Sequence, residues 1–409
     1  MNKSDSQKIK TILEENNYKP VENPKKADLI IVNMCSVRQS AVDRVYGLAN
    51  KFSKWKKEKD ITTTLTGCIL KQDQNKFKKK FDILFNKNNI TYLPEILSGK
   101  DFKKEDKPLN YLNVKSKLES KVSEFVPIMS GCNNFCSYCV VPYTRGKEIS
   151  RPGNKIISEV KNLFKKNIKK IVLLGQNVNS YKDQDTNFPD LLKKIIKIDN
   201  KFWLNFVSSH PKDLSDNLIN VMSNSGKITN YLHLAVQSGD NQVLKAMNRN
   251  YTIEDYKKII KKLRKKIPNL AISTDIIVGF PGETKAQFQN TIDLFKWAKF
   301  DMAYIAKYSP RQMTAASNLE DNISHKEKKK REKILVKLLK KYALENNQRF
   351  LNKKIEVLVT SKRDNNFFGE TKNNKDIKIT SQNKDLKIGQ FIKCRVCHVT
   401  PWHLRGELV

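Results

Sequence analysis

The chain reads as an α/β protein of three parts. A Rossmann-like unit comes first, a partial (βα)6 barrel second and a small antiparallel β-barrel last. Three observations carry this. Short apolar strands alternate with amphipathic helices from about residue 28 to residue 307, the pattern of parallel βα units. A charged helical segment, about His325 to Phe350, ends that run. The final stretch, 349–409, changes to strict two-residue alternation, as in a small barrel.

In the first part, Ser4 or Asp5 is placed to cap a helix whose apolar face is Ile9, Ile12 and Leu13. Pro20 lies past its end. Residues Asp28–Asn33 form a short buried strand, followed at once by Cys35. A helix runs from about Ala41 to Lys56, and Ile61–Thr66 is the next strand, followed by Gly67 and Cys68. Loops at the carboxyl ends of neighbouring parallel strands share one edge, so Cys35 and Cys68 are expected to converge. Residues 105–122 are polar and Lys-rich, a linker. The barrel strands are read at Phe125–Met129, Ile171–Leu174, Trp203–Val207, Tyr231–Val236, Ala271–Val278 and Met302–Lys307, with helices such as Thr252–Lys265 and Lys285–Trp297 between them. The last strands are Lys354–Thr360, Phe367–Glu370, Ile377–Thr380, Phe391–Val399 and Leu404–Val409. The expected domains are therefore 1–110, 118–348 and 349–409.

Composition narrows the partners. Lys plus Arg is 78 and Asp plus Glu 42, a formal net charge of +36 over 409 residues. Such an excess favours a polyanion, most plausibly nucleic acid, although heavy Lys and Asn usage also fits an AT-rich genome. No apolar run approaches the roughly 18 residues of a membrane span, and the start of the chain has no apolar signal-peptide core. Seven cysteines, three of them clustered, suit a reducing, cytoplasmic setting and metal binding rather than disulfides.

The clustered three are Cys132, Cys136 and Cys139, spaced C-x3-C-x2-C in a loop after the first barrel strand. Three thiolates on one loop can hold three corners of a cubane iron–sulfur cluster, leaving one iron open to a small molecule. Zinc is the alternative, but it wants four ligands, and no partnering Cys-x2-Cys loop is evident. Cys394 and Cys397 lie three apart on a strand and so point to opposite faces; they are read as packing or semi-exposed thiols. His210 and His233 are read as structural hydrogen-bonders.

The segment Cys132-Asn-Asn-Phe-Cys-Ser-Tyr-Cys139 resembles the cluster motif of radical S-adenosylmethionine (SAM) enzymes. The continuation Val140-Val-Pro-Tyr-Thr-Arg-Gly146, with Leu174-Gly-Gln-Asn-Val-Asn-Ser-Tyr181, Ser208-Ser-His-Pro211, Val236-Gln-Ser-Gly239 and Thr274-Asp-Ile-Ile-Val-Gly-Phe-Pro-Gly-Glu-Thr284, is similar to the methylthiotransferase family, tRNA branch. That resemblance spans essentially the whole chain. It implies an N-terminal methylthiotransferase domain, a radical SAM barrel and a C-terminal TRAM domain. It implies two 4Fe–4S clusters, one held by Cys132, Cys136 and Cys139 and acting in catalysis, the other served by Cys35 and Cys68. SAM would be held by Gly175, Gln176, Gln237, Ser238, Arg249, Ile277 and Gly279. The implied reaction converts N6-isopentenyladenosine beside the tRNA anticodon to 2-methylthio-N6-isopentenyladenosine, through a 5′-deoxyadenosyl radical. The implied partners are tRNA and a reducing protein such as flavodoxin or ferredoxin, with no membrane and a monomeric chain. The rival substrates are threonylcarbamoyladenosine or a ribosomal-protein aspartate; the rival class is a degenerate tRNA-binding protein.

Two departures stand out. The family's N-terminal domain has three cysteines, and the position of the first falls two residues before Met1. The expectation is a reading frame that continues upstream with a strand and that cysteine. The family's Tyr-Ser-x-Arg-x-Gly-Thr stretch appears as Tyr308-Ser-Pro-Arg-Gln-Met-Thr314, so Met313 replaces a glycine beside Arg311. If that position needs a positive φ, Met313 is strained.

Overall fold

A computed structural model describes residues 1–37, 39–100, 108–118, 120–364, 366–380 and 386–409. Part of the expected linker, 105–107 and 119, lies outside the described residues, as do residues 101–104. The chain divides into two compact units. The first comprises Met1–Glu119, Pro127–Arg151 and Ser309–Asn318; the second comprises Ser120–Val126, Pro152–Tyr308 and Leu319–Val409.

In the first unit, β1 (Leu29–Met34), β2 (Thr62–Gly67) and β3 (Ile83–Leu84) form a parallel sheet in that order. The central strand β2 is buried on both faces, as its continuous apolar and Thr run requires. One face is covered by α2 (Gln39–Trp55), whose Val42, Val45, Ala49 and Phe52 pack with Met34, Leu65, Phe77 and Phe81. A second core holds Ile9 and Ile12 of α1 (Asn2–Glu15) with Phe85, Ile90, Leu93 and Tyr111. The sequence placed the α1 cap at Ser4 or Asp5. The helix instead begins at Asn2 with Met1 as its cap residue, and Ser4 and Asp5 are buried inside its first turns. The carboxylate of Asp5 is engaged by Arg145 and Tyr111 rather than by helix N–H groups.

In the second unit, β4 (Ser123–Pro127), β5 (Lys170–Leu174) and β6 (Trp203–Phe206) form one three-stranded sheet, with β5 central. Strands β7 (Tyr231–His233), β8 (Ala271–Val278) and β9 (Met302–Lys307) form another, all parallel, with β8 central. Single parallel bridges, Leu204 to Ile228 and Ser209 to Leu234, continue the order from β6 to β7. The result is six strands in sequence, curled rather than flat, as the alternating pattern predicts. The helices between them start at recognisable caps: Thr252 with Asp255, and Thr284 with Gln287, each form a complete capping box.

The chain then runs through α3 (His325–Gln348) into five strands, β10 (Lys354–Arg363), β11 (Asn366–Thr371), β12 (Asp376–Thr380), β13 (Phe391–Val399) and β14 (His403–Leu408). They close in the order β10-β11-β12-β14-β13. Four neighbouring pairs are antiparallel and the pair β12–β14 is parallel. An odd number of strands cannot close with antiparallel neighbours throughout, so one parallel seam is unavoidable. Cys394 points into this barrel and is fully buried, while Cys397, at the bulge between Val396 and His398, is exposed. Burial pushes the Cys394 thiol up to about 11.

The small barrel packs on the amino-terminal ends of the larger one's strands. Its β11–β12 turn meets the residues that open β5, β7, β8 and β9: Lys170 pairs with Glu370, Asn230 N–H donates to Lys372 O at 2.8 Å, Asn373 Nδ2 donates to Asn269 O at 2.6 Å, and Lys375 pairs with Asp301 at 2.8 Å. Beside this, Leu358, Trp203, Val122 and Phe391 form a shared apolar cluster, with the Trp203 and Phe391 rings 5.1 Å apart. Replacing Leu358 with Ala should therefore cost about 2–5 kcal/mol, the usual range for a buried Leu. Near- and far-ultraviolet circular dichroism of the variant in a denaturant titration would check this, with both barrels unfolding at one lowered midpoint.

Candidate cluster loop and SAM-facing residues

All five candidate metal-ligating cysteines belong to the first unit. Register brings Cys35 and Cys68 together. Met34 is paired with Gly67, so the residues that follow leave adjacent strands at one level, and Cys68 N–H donates to Met34 O at 2.9 Å. Gly67 has φ +104, and a Cβ there would collide with Met34 O. Only glycine fits this approach. Cys68 is buried and Cys35 half-buried.

Cys132, Cys136 and Cys139 sit on a loop closed at its base by Met129–Ser130 pairing with Ile149–Ser150. Cys132 N–H donates to Gly146 O at 3.2 Å, and Gly131, at φ +82, passes so close to Lys147 O that a side chain is excluded. A turn from Cys136 O to Cys139 N–H, 2.9 Å, presents the last thiol. The three thiols are half-buried. Burial, reinforced by the neighbouring Cys136, pushes the Cys132 thiol up, and the Asn134 N–H partly offsets this. Among the described residues, no three His, Cys, Asp or Glu side chains gather round one point where a single ion could sit. An all-sulfur donor set spread along a loop suits the separated corners of an iron–sulfur cluster.

Sequence reasoning missed Arg145. It lies in the short helix Val141–Arg145 after the thiol loop and is almost wholly buried. Its guanidinium pairs with Asp5 at 2.8 Å, donates to Asn2 Oδ1 at 3.1 Å and lies within the field of the Cys68 side chain. It thus ties the loop that carries Cys132, Cys136 and Cys139 to α1, beside Cys68. Lys87 is buried close by; burial first, then the Arg145 charge, lowers it to about 8. Two desolvated cations beside one carboxylate make this a site for negative charge. The motif Tyr-Thr-Arg-Gly was visible, but nothing in it says that its Arg turns inward.

The segment Ser309–Asn318 belongs to the same unit, and Ala316 N–H donates to Ser137 O of the thiol loop at 2.7 Å. Arg311 is 5% exposed and its Nη1 donates to Gln39 Oε1. Met313 has φ +74. The position does use the left-handed region that a glycine would adopt freely.

The SAM-facing candidates all belong to the second unit. Gly175 and Gln176 follow β5, and Gln237 and Ser238 follow the β7 segment. Gln237, at φ +70, donates its N–H to Asp275 O at 2.8 Å and accepts from Ile277 N–H at 2.9 Å, so Gln237 and Ile277 are neighbours. Gly279, at φ +69, donates to the Glu283 carboxylate at 2.7 Å, and a Cβ there would collide with Lys328. Arg249 donates to Ala235 O at 2.6 Å and to Tyr251 Oη at 3.1 Å, which fixes its guanidinium at the end of β7. Burial and then the charge of Arg249 hold His210 down to about 2, so it stays neutral. His210 Nδ1 accepts the Lys212 N–H, and His233 bonds Ser273 and Asp275. Two further residues carry unmet polar atoms at this carboxyl edge: the whole Asn179 carboxamide and Ser209 Oγ are buried without a partner, as is Gln176 Oε1. The Asn-rich turn after β5 was the available signal for Asn179.

Comparison with known proteins decides the lineage. Residues 126–295 match the Radical SAM superfamily, and residues 1–86 match the uncharacterized protein family UPF0004. Over its full length the chain is 39% identical to the tRNA-2-methylthio-N(6)-dimethylallyladenosine synthase of Alkaliphilus oremlandii, covering 90% of that protein. The enzymes of the same name from Thermodesulfovibrio yellowstonii and Buchnera aphidicola subsp. Cinara cedri are 38% and 39% identical, with 96% and 99% of their lengths covered. The chain belongs to the radical SAM methylthiotransferase family. The fold agrees: the radical SAM methyltransferase TsrM of Kitasatospora setae aligns with a TM-score of 0.56 at 14% identity, over 77% of this chain and 74% of that one. Membership of this radical SAM family implies a 4Fe–4S cluster and SAM as cofactors. Among the described residues, no helix is long and apolar enough to cross a membrane.

Met313 offers a direct test of local strain in this methylthiotransferase. A left-handed non-glycine residue costs about 1–2 kcal/mol, offset by the entropy that glycine adds to the unfolded chain, about 0.4–1 kcal/mol. Met313→Gly should thus leave stability unchanged or raise it by up to about 1.6 kcal/mol, whereas Met313→Val, branched at Cβ, should lower it. Denaturant midpoints of the two variants would check the sign.

Proposed function

We infer that this chain is a tRNA methylthiotransferase that converts N6-isopentenyladenosine in tRNA to 2-methylthio-N6-isopentenyladenosine. The observation that carries the reading is whole-chain similarity to enzymes named for that product, through both thiol-bearing regions and the small barrel. Cys132, Cys136 and Cys139 hold the catalytic 4Fe–4S cluster, and Gly175, Gln176, Gln237, Ser238, Arg249, Ile277 and Gly279 surround SAM. When bound, the cluster supplies the electron for reductive cleavage of SAM, the chemistry needed to remove hydrogen from an unactivated aromatic carbon. Cys35 and Cys68 serve the sulfur that is inserted, as ligands of a second cluster. The desolvated charges of Arg145 and Lys87 favour an anionic sulfur species beside Cys68. The functional domains follow the sequence, 1–110, 118–348 and 349–409; the chain acts as a monomer, supplied with electrons by a flavodoxin or ferredoxin. Nucleoside mass spectrometry of tRNA from a strain lacking the gene tests the reaction: the methylthio nucleoside should vanish and its isopentenyl precursor accumulate.

Division of labour between the thiol groups gives a sharper prediction. Cys136→Ala should abolish SAM cleavage, and Cys35→Ala should keep cleavage but abolish sulfur insertion. Measuring 5′-deoxyadenosine and the methylthio nucleoside separately would separate the two; loss of both products in Cys35→Ala with its cluster intact would sink the assignment.

The small barrel supplies phosphate contacts. Lys393, Arg395 and Arg405 lie exposed on the outward faces of β13 and β14. Deleting the barrel would uncover Trp203 and Val122, so charge removal is the cleaner test. The triple change of these residues to Gln should weaken tRNA binding and flatten its log–log salt dependence by up to about 2–3 units, roughly 0.7–0.9 for each phosphate that is no longer neutralised. Titrations at several salt concentrations would show it.

A further inference from the structure

The first unit contains a second polar pocket, of about 500 Å³, between α2, the helix Lys71–Lys78 and the segment Ser309–Asn318. Gln39, Tyr46, Gln72, Asp73, Lys76 and Arg311 line it. Two of these are buried charges with unmet hydrogen-bonding atoms. Arg311 is 5% exposed, and its Nε and Nη2 are shut off from water without a partner; Asp73 is 8% exposed, and its Oδ2 is in the same state. Among the described residues no ion pair joins them, although each lies within the other's field. Leaving such groups unmatched costs more than most native sites tolerate, so an outside partner is the economical explanation. Burial raises the Asp73 carboxyl, and the charges of Arg311 and then Lys76 oppose this.

We propose that this pocket reads an unpaired, amino-bearing base, adenine or cytosine, of the RNA loop that carries the target adenosine. The inference rests on tRNA being the substrate. Asp73 Oδ2 accepts the exocyclic N–H of the base, and the Arg311 edge donates to the adjacent ring nitrogen, N1 of adenine or N3 of cytosine. Uracil carries no exocyclic amino group, and guanine offers its amino group beside a ring acceptor, N3, only on the sugar edge. Tyr46, stacked on Phe77 with ring centroids 4.5 Å apart, gives the pocket a fixed aromatic wall for the base. A phosphate would suit Arg311 and Lys76 but not Asp73. The segment that carries Arg311 is also bonded to the thiol loop through Ala316 and Ser137, so base recognition and the reacting centre share one scaffold.

The test uses the full-length protein and an anticodon stem-loop containing the isopentenylated adenosine. Every other loop adenine or cytosine is replaced in turn by its analogue without the amino group, purine or 2-pyrimidinone, and the Kd is measured by fluorescence anisotropy. One position should weaken binding by about tenfold to a hundredfold, the range of one good base contact. Arg311→Lys and Asp73→Ala should weaken the unaltered stem-loop similarly and be indifferent to that one substitution. If the variants do not fold, dimethyl sulfate footprinting with the unaltered protein stands alone: one adenine N1 or cytosine N3 should be protected. No sensitive position and no protected base, or variant and base effects that simply add, would overturn the proposal while leaving the tRNA reading intact. Failure of the unaltered protein to bind any stem-loop would overturn both.

Discussion

The pairing of Met34 with Gly67 is the constraint on which the N-terminal site depends. Two parallel strands held in that register release Cys35 and Cys68 at one height on one edge. A slip by one residue would turn each side chain to the opposite face. The register is locked from two directions. The buried side chains Leu65 and Met34 admit one alignment against α2, and Gly67 permits the backbone approach that Cys68 needs to bond Met34 O. Local chemistry and core packing thus agree on the same geometry, which is how a thiol pair far apart in sequence reaches one edge of the sheet.

Charge is arranged around that edge in a way that packing alone does not explain. Arg145, Lys87 and Asp5 are all buried; the Tyr111 hydroxyl donates to Asp5, and the Lys8 ammonium lies 4.4 Å from the Tyr111 ring. Burying cations without matched anions is expensive, and apolar replacements would stabilise the unit more. Their retention in the interior is understandable where a negatively charged group is to be held beside Cys68. The same reasoning separates this cluster from Lys328, whose Asp321 partner at 2.6 Å accounts for it locally, and from Arg331, matched by Glu283 at 2.6 Å.

Most of the strand and helix order was legible because it rests on periodicity. The span Ala271–Val278 and the span Met302–Lys307 came out residue for residue, and the helices read at Thr252–Lys265 and Lys285–Trp297 lie within a residue or two of those found. The strand expected through Val236 stops at His233, because Gln237 takes a left-handed turn and only isolated bridges continue the pairing. The cap of α1 was misplaced for a different reason: Asp5 has the composition of a cap but a tertiary partner in Arg145, and tertiary pairing overrode local propensity. The thiols could be read from spacing, since three cysteines in eight residues need no tertiary knowledge. Arg145, Asp73 and Asn179 could not, since their significance lies in burial, and a lone charged or amide residue in a sequence reads by default as solvated.

The two barrels of the second unit show why location in the fold constrains function more than composition does. The small barrel carries exposed basic residues, and its sequence marked it off as a domain of its own. Its β11–β12 turn instead seals the amino-terminal ends of β5, β7, β8 and β9 through Lys170, Asn230, Asn269 and Asp301. In such α/β barrels chemistry sits at the carboxyl ends of the strands, and the opposite end serves stability. The barrel therefore has two faces with different duties. Its inner turn closes the larger core, and its outward strands, carrying Lys393, Arg395 and Arg405, remain available to a polyanion. Removing the module would confound the two effects, because loss of affinity and loss of core would arrive together. Only substitutions confined to the outward strands separate recognition from stability in this fold.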